Sequence, residues 1–242
     1  SQQRVLAPQV YVKVRKGDLR GDGALVAAEQ IKLKAEDMVY NSGTFAGRQL
    51  VNITADSIAN MAGGRMNADK IALTAKDDIR VRGGQITAEQ ALTLKAGRDI
   101  DVASTLNHTQ TQTGQNNFEY TNLDRLAGLY VTGSKGAGQL QVQAGRDLTL
   151  TAAALANAGQ GKDSSTTLQA GNNLALNTVT TRKDELVVSD ASNYVRHTSA
   201  EQKGTHIASN GDIVLRSAND LSLRAADVTS QQGAVTLLGG RD

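Results

Sequence analysis

Cysteine and tryptophan are absent from this 242-residue chain, proline occurs once, and aromatic residues make up 3% of it. Without cysteine there is no disulfide framework, which neither requires nor excludes secretion. So few large rings argue against an ordinary globular core built around them, because aromatic side chains normally carry much of its buried area. Any core must be aliphatic and small. No run approaches the ~18 consecutive apolar residues of a membrane-spanning helix, and no charged, apolar, small-residue leader opens the chain. Lys+Arg number 26 and Asp+Glu 24, a net charge of +2, and the basic residues are scattered instead of clustered. That scatter argues against a nucleic-acid partner.

What is present is self-similarity. Ile71-Ala-Leu-Thr-Ala-Lys-Asp-Asp78, Leu92-Thr-Leu-Lys-Ala-Gly-Arg-Asp99, Leu140-Gln-Val-Gln-Ala-Gly-Arg-Asp147 and Ile213-Val-Leu-Arg-Ser-Ala-Asn-Asp220 are versions of one phrase. Its second apolar position recurs at Leu33, Ile53, Leu73, Leu94, Val142, Leu168, Leu215 and Leu237, which gives a period of about 20 to 22 residues with two gaps of double length. A second phrase keeps the same step half a unit earlier, as in Gly64-Arg-Met-Asn-Ala-Asp-Lys70 and Gly84-Gln-Ile-Thr-Ala-Glu-Gln90.

Within a unit Leu92, Leu94 and Ala96 fall on one side of an extended strand and Thr93 and Lys95 on the other. The alanines of residues 148–157 invite a helix reading, but their apolar residues begin at i, i+2, i+4 after a turn, so strand is expected. Short strands, a repeat near 20 and small turn residues predict an all-β chain, a right-handed parallel β-helix with about 20 to 22 residues per coil. Leucine-rich repeats share the period but need a Leu-x-x-Leu-x-Leu signature that is missing. Gly97, Gly145, Gly171 and Gly240 suit a positive φ at the turn before the Asp or Asn.

Residues 1–242 therefore read as one β-helix segment of a longer filament, cut abruptly at Ser1 and mid-phrase at Asp242. The double gaps mark insertions, 103–139 and 177–212, that project from the solenoid. The second, with Asp190-Ala-Ser-Asn193 between two apolar-rich runs, is expected to be an extruded hairpin. Residues 159–165 read as a surface loop.

The phrase Ala144-Gly-Arg-Asp-Leu-Thr-Leu150 resembles the haemagglutinin repeats of two-partner-secreted filamentous exoproteins. Leu123-Asp-Arg-Leu-Ala-Gly-Leu-Tyr-Val-Thr132, after a Thr-Gln tract, is similar to the second haemagglutinin-repeat region of contact-dependent growth inhibition effectors. The resemblance implies export through an outer-membrane two-partner secretion transporter and residence on the cell surface of a Gram-negative bacterium. It also implies contact with the outer membrane of a target cell, and a C-terminal toxin domain in the same full-length chain. Plain adhesins share the repeats, so a host-directed adhesin is the alternative.

A carbohydrate-active enzyme on this scaffold would need paired carboxylates on a groove. Asp78, Asp99, Asp147 and Asp220 share one repeat position, but each is expected to bond turn amides. The histidines, His108, His197 and His206, lack metal-ligand spacing. Arg20-Gly21-Asp22 matches an integrin tripeptide at a place where the repeat needs a turn. No catalytic, cofactor or metal residue is therefore expected. Partner contact is expected of the insertions, through Phe118, Tyr120, Tyr130, Tyr194 and His197, because interfaces concentrate aromatic residues that a narrow β-helix interior has no room for.

Overall fold

The computed structural model describes residues 9–14, 19–21, 23–161, 163–190 and 192–240, with side chains from residue 23 onward. Every regular element among them is a strand. The first five coils are β1 (Gln9–Val14) with β2 (Leu19–Gly21), β3 (Leu25–Ala35) with β4 (Met38–Asn41), β5 (Thr44–Ala55) with β6 (Ser57–Met61), β7 (Arg65–Ala75) with β8 (Ile79–Arg82), and β9 (Gln85–Ala96) with β10 (Ile100–Ala103). A hairpin follows, β11 (Thr105–Thr113) and β12 (Asn116–Arg125). The sixth and seventh coils are β13 (Gly128–Val131), β14 (Gln139–Ala144) and β15 (Leu148–Thr151), then β16 (Ala154–Asn157), β17 (Ser165–Ala170) and β18 (Leu174–Asn177). A second hairpin, β19 (Val179–Asp190) and β20 (Asn193–Lys203), precedes β21 (His206–Ser209), β22 (Asp212–Ser217), β23 (Leu221–Leu223), β24 (Asp227–Ser230) and β25 (Val235–Leu238).

Each coil pairs in parallel with the next. The chain is thus a parallel β-helix with three faces. One large sheet carries the first two faces; the long strands β3, β5, β7 and β9 bend across both, and later coils divide the same path into two short strands. A separate eight-stranded sheet, β2-β4-β6-β8-β10-β15-β18-β23, is the third face. Residues 148–157 are the strands β15 and β16, as their period-two pattern requires, joined through a left-handed Ala152.

The repeated apolar position is a physical column: Leu33 pairs with Ile53, Ile53 with Leu73, Leu73 with Leu94, Leu94 with Val142, Val142 with Leu168 and Leu168 with Leu215. These side chains are buried, Leu94 completely, while the adjacent Lys95 is exposed. Parallel columns of Ile, Val, Leu and Ala fill most of the rest of the interior, with Phe45 stacked on Met66 in one of them, so the coil does admit a ring where one neighbour is unbranched. Burial of this kind contributes roughly 25 cal/mol per Å2 of apolar surface, so the stacked faces and not local propensity hold the coil.

The phrase Gly-Arg-Asp is a clasp between coils. Asp78 Oδ1 accepts the Asp99 N–H at 3.3 Å, and the Asp78 carboxylate receives Arg98 Nε and Nη2 at 3.1 and 2.8 Å. Asp99 repeats the arrangement with the Asp147 N–H and Arg146. Asp147 does so with Asn172 and the Asn173 N–H, an amide standing in for the guanidinium.

The glycines before these aspartates do not adopt positive φ. They are required by close approach instead. A Cβ on Gly97 would lie 2.0 Å from the Lys76 carbonyl oxygen, one on Gly145 2.2 Å from that of Gly97, and one on Gly171 2.1 Å from that of Gly145. Ala62, Gly63, Gly83, Ala152 and Ala225 are left-handed and sit at the corner where the third face turns into the next coil, while Gly133, Gly136 and Gly161 take positive φ between the first and second faces.

Candidate functional site

Both hairpins leave the solenoid at that corner, one after β10 and one after β18. Their roots are fixed by buried hydroxyls. Ser104 Oγ donates to the Ala152 carbonyl at 2.6 Å and accepts the Ala127 N–H at 2.9 Å. Thr205 Oγ1 donates to the Leu150 carbonyl and accepts the Ala153 N–H, each at 3.3 Å. Gly114, at φ 62°, turns the first hairpin. The Asp190 carboxylate closes the second by accepting the Ser192 and Asn193 N–H groups at 2.8 and 3.0 Å.

The two hairpins are not separate. β12 pairs antiparallel with β19, Asn117 opposite Leu186 through Thr121 opposite Arg182, making one four-stranded sheet, β11-β12-β19-β20. Directly opposed residues of an antiparallel pair share a face. Phe118 opposes Glu185 and Glu185 opposes His197; Tyr120 opposes Lys183; Val187 opposes Val195. One face therefore carries Phe118, Tyr120, Val187, Val195, Glu185 and His197. Val187 and Val195 are 43% and 70% exposed, and Phe118 and Tyr120 are half-buried.

The Tyr120 hydroxyl donates to Glu185 Oε1 at 2.5 Å, and Lys183 Nζ lies 3.0 Å from the same oxygen. The hydroxyl and then the ammonium hold the Glu185 carboxyl below its usual range, and the bond to Glu185 raises the Tyr120 phenol. The result is an apolar and aromatic patch with the Glu185–Lys183 ion pair at its centre. On the opposite face Arg196 makes a two-pronged contact with Asp184, lowering that carboxyl.

Of the residues expected to make contact, the sheet thus brings Phe118, Tyr120 and His197 together. Tyr194 lies on the opposite face, 66% exposed, next to the hairpin turn. Tyr130 is elsewhere: it belongs to the coil strand β13, where its ring covers Gly128 and burial raises its phenol. Val187, Val195 and Glu185 were not singled out from the sequence. Their signal was the symmetric placement of the two valines about the Asp190–Asn193 turn.

Two grooves on the coil surface, among the described residues, are lined by charged side chains. One, about 650 Å3, lies where the first face bends into the second and contains Glu29, Arg48, Asp69, Glu89 and Lys135. Its charges are paired: Arg48 with Glu29 at 2.5 Å, and Lys135 with Asp69 and Glu89 at 2.7 and 3.2 Å. The other, about 320 Å3, lies on the third face over Asp78, Asp99, Asp101 and Asp147. Glycoside hydrolysis needs a carboxyl held protonated near neutral pH. Asp78 and Asp99 move the other way, lowered first by the guanidiniums of Arg98 and Arg146. Among the described residues no three His, Cys, Asp or Glu side chains are grouped to hold a metal ion. Arg20 and Gly21 lie in β2, not in a turn, and Asp22 lies outside the described residues.

Stacked coils with a side sheet of exposed, partly aromatic strands define a β-solenoid scaffold. The chain belongs to the hemagglutinin-repeat family, whose profile matches residues 54–122 and again residues 126–241. It is 27% identical over 233 residues to a tRNA nuclease CdiA of Yersinia mollaretii, covering 95% of this chain and 6% of that protein. It is 26% identical over 286 residues to a toxin CdiA of Yersinia pestis, covering 90% of this chain and 8% of that protein. The chain thus spans less than a tenth of the length of these relatives. No solved structure matches it.

Proposed function

We propose that this chain is a structural segment of a long secreted exoprotein that carries a toxin domain elsewhere in the same polypeptide. In this reading it leaves the producing cell through an outer-membrane two-partner secretion transporter and stands on the surface of a Gram-negative bacterium. The coils supply reach, at about 4.8 Å each. The hairpin sheet supplies contact with the outer membrane of a target cell and so aids toxin delivery. The observation that carries this is the division of apolar residues. Between the terminal coils the solenoid buries its apolar residues in columns, and its exposed leucines and valine lie at Leu25 and in the last coils at Leu223, Val235, Leu237 and Leu238. The sheet instead displays Val187 and Val195 to solvent beside Phe118 and Tyr120, and Tyr194 on its other face. Exposed aromatic and β-branched residues on a rigid support are what an interface concentrates. The toxin names of both relatives favour delivery over host adhesion.

The test is to replace residues 180–202 of the full-length protein by a short Gly-Ser turn, which spares β21 and the buried Thr205. The variant is expected to be secreted and to melt cooperatively, yet to lose target-cell binding and growth inhibition. Normal binding and inhibition by that folded variant would return the function to the coils.

A further inference from the structure

The outer edges of the hairpin sheet differ in what surrounds them. Hairpins leave the solenoid after β10 and after β18; the corner between, at Ala152–Ala153, and the corner after β23, at Ala225–Ala226, are tight turns. The two hairpins are thus two coils apart. Two coils advance along the solenoid by about 9.6 Å, and a hairpin two strands wide also spans about 9.6 Å. The side sheet therefore grows at the pace of the solenoid, which is why β12 meets β19 in unbroken register from Asn117–Leu186 to Thr121–Arg182. The family match divides between the hairpins: 54–122 holds β11 and most of β12, 126–241 holds β19 and β20, and the second hairpin is seated on the first.

At the far side β20 presents a long open edge, Asn193–Lys203, that no strand among the described residues pairs with. Open edges of this length are normally covered, shortened or paired. We propose that in the full-length polypeptide the β20 edge is paired by the first strand of a further hairpin two coils on. Successive hairpins then form one continuous antiparallel ridge alongside the solenoid. The occupant is specified by continuity with the β12–β19 junction: an antiparallel strand from the same chain, rooted at the same corner.

The β11 edge is the beginning of this ridge. The corners of the two coils before it, Ala62–Gly64 and Gly83–Gly84, are tight, and the Arg125 side chain lies over them with its guanidinium on the Ala62 carbonyl. No hairpin leaves there to cover β11. For function, a ridge lengthens the contact face by about 9.6 Å with each added hairpin. Many weak contacts then act together, and avidity exceeds the affinity of one face.

This inference rests on the chain being a segment of a longer exoprotein, and the experiment separates the two. Amide hydrogen exchange is followed in the secreted full-length protein, comparing residues 193–203 with residues 105–113. Paired on both sides, β20 is expected to exchange on the order of tenfold or more slowly than the one-sided β11, and as slowly as β12 and β19. Equal, fast exchange of β20 and β11 in a long secreted polypeptide overturns the ridge and leaves the exoprotein reading intact. Protection of β20 that rises with protein concentration assigns the edge to a second copy and also overturns it. An intact-mass measurement showing that the polypeptide ends soon after residue 242 defeats both readings.

Discussion

The Arg146 guanidinium grips the Asp99 carboxylate through both Nε and Nη2 across a separation of 47 residues in sequence but only one coil in space. Asp99 in turn stands beneath Asp147, whose N–H it accepts at 3.2 Å. The most frequent phrase of the sequence is therefore a joint between coils, and its acidic residue is occupied by structure.

That joint has a pH signature. Asp78 and Asp99 lie below the ordinary carboxylate range, chiefly because of the Arg98 and Arg146 guanidiniums. They bind fewer protons in the folded chain than in the unfolded one, so their stabilisation is complete above the ordinary range and disappears as pH falls through the folded values. The melting midpoint is expected to drop as pH is lowered below about 4. In the double variant Asp78→Asn with Asp99→Asn that acid dependence should be flatter. An unchanged acid profile in the double variant would show that the clasp does not contribute.

Removing the acceptor altogether is more costly. Asp78→Ala leaves the Asp99 N–H and the Arg98 guanidinium without their partner and is expected to destabilise by about 1–3 kcal/mol. Denaturant titration measures this directly, and a loss below the error of the titration counts against it.

The interior column gives a sharper contrast. Leu94 is fully buried and Lys95, its neighbour, is exposed. Leu94→Ala should cost about 2–5 kcal/mol, and Leu94→Asp should unfold several coils, because it buries an unpaired carboxylate in neighbours that depend on one another. Lys95→Asp should be tolerated. Equal losses of thermal stability in the two aspartate variants would contradict the register.

The carboxylates of the third-face groove are predicted to support no turnover. Incubation with acidic polysaccharides, with and without calcium, should release no product. Saturable cleavage that Asp99→Asn abolishes would make the groove an active site.

The coil was legible in the sequence because its cause is local: alternation within one strand, repeated every 20 to 22 residues, selects Leu33, Leu73 and Leu94 as a column that the structure then stacks. The reason for Gly97 and Gly145 was not legible. A preference for glycine looks the same whether it answers a left-handed φ or a carbonyl oxygen 2.0 Å from where a Cβ would stand. The clasp was half legible: the aspartates could be placed on successive coils, but not their guanidinium partners. The shared face of the hairpin sheet was hidden for a similar reason. Tyr120 and Glu185 are 65 residues apart and meet only because both hairpins share a corner two coils apart. Tyr130 looked like part of an insertion because the sequence does not mark where the chain rejoins the coil at Gly128.

The most direct measurement compares the two faces of the hairpin sheet. In the full-length secreted protein, Phe118→Ser with Val195→Ser removes apolar contact from one face, and Thr198→Ser with Arg196→Ser alters the other. Binding to target cells is then titrated for each. Truncating an aromatic anchor at an interface typically costs about 2 kcal/mol or more, roughly a thirtyfold loss of affinity. The account predicts a loss of that size for the Phe118 and Val195 pair, with both proteins secreted and melting normally, and near-normal binding for the Thr198 and Arg196 pair. Near-normal binding by the Phe118 and Val195 variant, or an equal loss in both, would contradict it.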